Sequence, residues 1–322
     1  MVKVGLSMTK LGVLLPTRGL LMTDGPPTNI NEIIDMAEAV EASAIDSVWV
    51  GDSLTAKPRL EPFTALSAIA ARTKNIRLGT AVLLSSLRHP VQLAHVATTV
   101  DLISEGRLVL GMGVGGAFNE AQRQEWHNVG VDPRKRAGRF EESLKIFKPL
   151  TRGETVTFSG KHFDVKDISI KPVSPQDNGV PVLVAAHGRS KLERQYERVL
   201  LGDGIISISD FPDEYEMALK KVSQYCDQKG TPFKNLEKSF YMTVNIGDKK
   251  EKLTEEADRF LKLYYGVNIW QERWGPWGTP EEVLTRIKSY ENVGAETIIV
   301  RFASFDQARQ LELFLNKVVA YL

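Results

Sequence analysis

Short apolar runs alternate with helical stretches along the chain. The runs are 11–15 (LGVLL), 47–50 (SVWV), 76–84 (IRLGTAVLL), 107–112 (RLVLGM), 182–186 (VLVAA), 204–208 (GIISI), 240–246 (FYMTVNI) and 297–301 (TIIVR). They are continuous rather than alternating, as in strands covered by helices on both faces. Helical periodicity fills the gaps. In 31–43, Ile33, Met36, Ala37 and Val40 share one face. The stretches 62–73 and 90–104 each open on a proline, which the first turn tolerates. Further helices are predicted at 119–126, 134–150, after Ser190, and at 213–227, 249–263, 280–290 and 306–319. Eight strands alternating with helices predict an α/β fold, a (β/α)8 TIM barrel, as one domain over residues 1–322. An open, doubly wound sheet is the rival. Two stretches break the rhythm: 151–180, read as an insertion with a β-hairpin, and the irregular 264–278.

Composition narrows the class. A chain of 322 residues buries roughly three quarters of its unfolded surface without staples. Forty-one basic against forty acidic residues leave a charge of +1, which argues against a nucleic-acid partner. The single cysteine, Cys226, has no intrachain disulfide partner. No run nears ~18 apolar residues, so no membrane span is expected. Residues 1–10 lack the apolar centre of a signal peptide, and Met8 is a second candidate start. The expected location is the cytoplasm.

Candidate chemistry sits just past the strands' carboxyl ends, where barrels place their active sites. Those positions hold Thr17, Arg18, Asp52, Ser53, the glycines of 113–116, Ser207, Ser209 and Arg301. Gly111, Gly113 and Gly116 match the spacing G-x-G-x-x-G. Two helices and an insertion follow, so the compact unit of a nicotinamide site is absent and a glycine-rich bend is the better reading. The five histidines (His89, His95, His127, His162, His187) contain no i, i+4 pair, and no metal site is expected. Ala186, His187, Gly188, Arg189 and Ser190 form a turn between a strand and a predicted helix, a place where free N–H groups favour phosphate. The stretch 247–250 (GDKK) is a competing phosphate cradle. Residues 264–278 hold three of the five tryptophans, Trp270, Trp274 and Trp277. We read that segment as a lid over a flat ligand; cover for the barrel or contact with a second subunit is the alternative.

Six pieces then recur in a distinctive order: 48–53 (VWVGDS), 61–62 (EP), 78–82 (LGTAV), 88–90 (RHP), 101–107 (DLISEGR) and 111–115 (GMGVG). In that order and spacing the chain resembles the bacterial luciferase-like flavin oxidoreductases over nearly its whole length, and Arg136, Arg139 and Glu141 fit the helix that follows. The resemblance implies a barrel that binds FMN or the deazaflavin coenzyme F420 at its carboxyl rim. It implies a non-proline cis peptide at Ala81–Val82 behind the ring, with Asp52 and Asn119 hydrogen-bonded to that ring. It assigns Ala186, His187, Gly188, Arg189 and Ser190 to the cofactor phosphate. Arg18, His187, Trp274 and Arg301 are the candidate substrate contacts.

Three departures shape the expected activity. Deazaflavin-dependent sugar-phosphate dehydrogenases of this family carry His where this chain has Ser53, and Glu where it has Gly116. Luciferase carries a phosphate-binding Arg where it has Val114. The expectation is therefore a monooxygenase using reduced FMN and oxygen on a small organic substrate, with a separate flavin reductase and a homo-oligomeric state. The alternative is F420-dependent hydride transfer. The alternative of another class is a catalytically silent flavin-binding barrel.

Overall fold

The computed structural model describes residues 9–22, 27–269 and 271–322. Met8 and Trp270 lie outside them, and so does most of the N-terminal stretch read for a signal peptide. In chain order the strands are β1 (Lys10–Leu14), β2 (Ser47–Val50), β3 (Arg77–Leu83), β4 (Leu108–Met112), β5 (Val156–Ser159), β6 (Asp164–Ile168), β7 (Val182–Ala185), β8 (Gly204–Ile208), β9 (Glu237–Ile246), β10 (Trp277–Gly278) and β11 (Thr297–Phe302). The helices are α1 (Asn31–Glu41), α2 (Pro62–Ala70), α3 (Pro90–Ile103), α4 (Glu120–Asn128), α5 (Arg136–Thr151), α6 (Arg194–Val199), α7 (Pro212–Lys229), α8 (Lys250–Tyr265), α9 (Pro280–Asn292) and α10 (Gln307–Lys317).

Eight strands pair in parallel in the order β9-β11-β1-β2-β3-β4-β7-β8, and β8 pairs with β9 to close the cylinder. The closure excludes the open sheet. β5 and β6 form the antiparallel hairpin of the 151–180 insertion. β10 adds a short parallel strand to the end of β9. Several boundaries differ from the sequence reading; β9 begins at Glu237 rather than Phe240. Tyr264 and Tyr265 belong to α8 rather than to an irregular segment, and α6 begins at Arg194, well after Ser190.

Two apolar layers hold the fold. The larger lies between barrel and helices and includes Ile33, Leu66, Phe147 and Val300. The smaller fills the cylinder with Leu14, Trp49, Val109, Leu183, Ile206, Tyr241 and Ile299. Trp49 is fully buried there, and its indole N–H donates to Ser47 Oγ at 2.9 Å. A Cβ at Gly12 or Gly79 on the flanking strands would overlap the indole, so both positions must stay bare. Gly79→Ala is therefore expected to destabilise the protein by about 1–3 kcal/mol, read as a lower urea midpoint at unchanged slope.

Candidate functional site

A cavity of about 210 Å³ opens at the carboxyl ends of the strands. A larger, shallower groove of about 1260 Å³ lies at the other end, against Lys10, Glu237 and Thr297. Barrels do their chemistry at the carboxyl end, so the smaller cavity is the candidate site.

One wall of the cavity is apolar. It is built from Ala81, Val82, Leu84, Ala185, Ile206 and Ile208. The pairing of β3 with β4 shifts register between Thr80 and Leu83, and the Ala81–Val82 bond is cis, where the resemblance places it. A Cβ at Gly113 would stand 2.9 Å from Val82 Cγ2 and 3.5 Å from Ala185 Cβ. Glycine there keeps the gap between those two residues clear. This apolar face, next to bare backbone, fits a flat ring.

Asp52 lines the cavity, but its carboxylate is engaged. Oδ2 accepts from Leu84 N at 2.9 Å and Arg88 Nη1 at 2.5 Å, and Oδ1 accepts from Arg88 Nη2 at 3.0 Å. The residue clips the end of β2 to the segment after the bulged strand. Ser53 Oγ donates to Glu125 Oε1 at 2.7 Å, and the same oxygen accepts from Thr55 N and Ala56 N. Glu125 is 3% exposed and lines the cavity from α4.

His187 enters from the turn after β7. Gln195 holds its main chain on both sides, accepting from His187 N at 3.0 Å and donating to His187 O at 2.9 Å. Its Nδ1 lies 3.4 Å from Ser207 Oγ, which donates to the fully buried Asp210 Oδ2 at 2.6 Å. Burial, reinforced by Arg189 and opposed by Asp210, pushes the imidazole pKa below its ordinary value. A main-chain hydrogen bond with Ile208 also opposes that shift, and Ser207 links the ring to the Asp210 carboxylate.

The phosphate reading of this turn changes. Gly188 N donates to Asp210 at 2.8 Å and Ser190 N donates to His187 O at 3.2 Å. Two of the N–H groups expected to be free are therefore committed, and no helix begins until Arg194. Arg189 stays at the rim, with Nε 3.6 Å from Asp210 and Nη2 3.5 Å from Ser209 Oγ. Ser190 Oγ accepts from Leu192 N, and Ala186 is buried.

Asn119 lies outside the cavity wall. It caps α4: its Oδ1 accepts from Gln122 N at 2.9 Å, and the Gln122 side chain returns to Asn119 N. Trp274 and Arg301 sit behind the wall. The Arg301 guanidinium lies 4.4 Å from the Trp274 ring, and its Nη1 donates to Tyr265 OH at 2.7 Å. Arg18 is bound to main-chain oxygens of Tyr264 and Pro58. The sequence reading did not single out Lys57, Arg59, Glu125 or Tyr241, all of which face the cavity.

The chain is thus a closed α/β barrel with a bulged third strand and an apolar slot at its mouth. The luciferase-like monooxygenase family matches residues 9–268, and the chain belongs to that family. It is similar to the F420-dependent glucose-6-phosphate dehydrogenase of Amycolatopsis mediterranei, 26% identical over 90% of this chain and 94% of that one. The enzyme of the same name from Mycobacterium avium is 28% identical over 88% and 91%. Among solved structures, an F420-dependent secondary alcohol dehydrogenase bound to an F420–acetone adduct superposes with a TM-score of 0.79 at 17% identity, over 98% and 99% of the two chains. A monooxygenase from Streptomyces bottropensis superposes with a TM-score of 0.78 at 20% identity, over 97% and 99%. These two structures share the fold. No described helix is long and apolar enough to cross a membrane.

Proposed function

We propose that this oxidoreductase uses coenzyme F420 and moves a hydride between the deazaflavin and the carbon of a small alcohol or carbonyl compound. One observation carries the reading: His187, backed by Ser207 and Asp210, faces the same cavity as the apolar Ala81–Val82 wall. The curated relatives tilt the choice from FMN, expected from the sequence, toward the deazaflavin.

When bound, the deazaflavin supplies the hydride acceptor. Ala81, Val82 and Ile206 would support one face of its ring. Arg189 and the Ser190 hydroxyl would meet its phosphate with side chains, since Gly188 N and Ser190 N are already committed. A small alcohol would enter the cavity that Val82 and His187 both line. His187 would take up the hydroxyl proton of a bound alcohol, and Asp210, through Ser207, would stabilise the imidazolium that forms. His187 thus does the work that Ser53 and Gly116 cannot. Protein groups orient the cofactor and hold the proton; the cofactor carries the redox step.

The second reading is reduced FMN with oxygen and a separate reductase, which the similar monooxygenase favours. Titration of the purified protein with F420 and with FMN, followed by anaerobic turnover of a panel of alcohols, separates the two. Tight F420 binding and alcohol-dependent bleaching of its visible band under nitrogen are the expected results. Binding of FMN alone, with turnover that consumes oxygen, overturns the proposal. Cofactor binding with no turnover in either assay returns the chain to a silent barrel.

A further inference from the structure

Four cations crowd one side of the mouth. Arg18, Arg59 and Arg301 place their guanidinium carbons 5.3, 5.4 and 4.9 Å from the Tyr264 ring centre. Lys57 Nζ stands 4.6 Å from the Tyr265 ring centre. Lys57, Arg59, Tyr264 and Tyr265 all line the cavity. Among the described residues none of the four cations forms an ion pair with a carboxylate, whereas Arg88, Arg189 and Arg273 each do. The one cavity carboxylate not paired to an arginine is Glu125, and its Oε1 is taken up by Ser53, Thr55 and Ala56.

Like charges held together are costly, and less water screens them as burial increases; on Lys57 the Glu125 carboxylate and the Tyr264 hydroxyl offset only part of that cost. Lys57 registers the cost: burial, and then the neighbouring Arg59, hold its ammonium at about 8, well below the ordinary 10.5. An anion entering the cavity would relieve this repulsion.

We infer that the substrate carries an anionic head, a carboxylate or a phosphate, which seats on Lys57 and Arg59 across the mouth from His187. The inference rests on the function proposed above, which sends the cofactor phosphate to the turn after β7. That turn lies three strands round the barrel from the β2 segment bearing Lys57 and Arg59.

The test is calorimetric titration of benzoate, phenyl phosphate and the neutral benzyl alcohol, into the protein with and without F420. Both anions are expected to bind roughly tenfold or more tightly than benzyl alcohol, the worth of one charge-assisted hydrogen bond. Lys57→Met should remove most of that preference and leave benzyl alcohol unchanged; Arg59→Met should also remove it, read against a benzyl alcohol control because Arg59 Nη1 donates to Tyr264 OH at 3.2 Å. Lys57 Nζ makes no hydrogen bond among the described residues, so Lys57→Met deletes charge without unmaking a structural bond. Equal binding of neutral and anionic probes, or failure of both anions to bind, overturns the inference. So does a Lys57→Met protein that loses affinity for F420 but not for its tail-less deazaflavin, because the cations would then hold the cofactor. If F420 fails to bind while the cofactor-free protein still prefers anions, the function reading falls and the anion seat stands.

Discussion

His187→Ala is expected to lower kcat by about 10²–10⁴, the usual contribution of a positioned acid or base. Cofactor affinity should change little, because the turn that carries the ring is fixed through its main chain. Gln195 grips His187 N and O, and Tyr196 OH donates to His187 O at 3.0 Å. The pH profile adds a second readout. Burial lowers the imidazole pKa below 6.5, so the neutral base persists into mildly acidic solution and the acid limb of kcat should fall below that value. Stability follows the same sign. The unfolded chain takes up the proton first as pH falls below 6.5, so the stability contributed by the neutral buried ring is complete above 6.5 and declines below it. Stopped-flow bleaching of the deazaflavin measures the rate, and fluorescence titration measures the affinity. Turnover within about threefold of wild type would remove His187 from the chemistry.

How much of this was legible in the chain differs between fold and site. The eight barrel strands could be read because both faces of each are covered, leaving runs such as Gly204–Ile208 almost wholly apolar. The start of β9 was missed because Glu237 and Lys238 are charged; they are tolerated there through Arg77 on β3, across the cylinder, and Glu296, just ahead of β11. The helix expected after Ser190 is delayed because His187–Ser190 spends its bonds on Asp210, Gln195 and itself. Asn119 carried a second signal beside the role the resemblance implies: Asn-x-x-Gln ahead of a helix is a capping box. Lys57 and Glu125 carried none. They stand in unremarkable sequence, and only the β2 segment and α4 bring them to one cavity. Position past a strand end located the rim, but which side chains turn inward depends on partners distant in sequence.

The largest stability effect is expected from the clip behind the slot. The Asp52 side chain is 1% exposed and that of Arg88 16%, so their pair is largely out of water. Asp52→Ala strips Arg88 of its two-point partner and leaves Leu84 N without its acceptor. Removing one member of a buried pair costs about 3–5 kcal/mol, because the other charge stays buried alone. Glu61, 3.5 Å from Arg88 Nη2, retains part of that charge's stabilisation and places the loss toward the lower figure. Asp52→Asn should cost less, since an amide oxygen still accepts from Leu84 N. Arg88→Met should cost less than Asp52→Ala if the orphaned Leu84 N matters, and a double-mutant cycle between the two sites isolates the pair itself. Urea unfolding reads the stability, and cofactor titration should show the same ranking, because Leu84 is in the wall that Asp52 steadies. A loss below about 1 kcal/mol for Asp52→Ala would mean that the bulged segment is held by β3 and β4 alone, and that Asp52 is free to serve the ring after all.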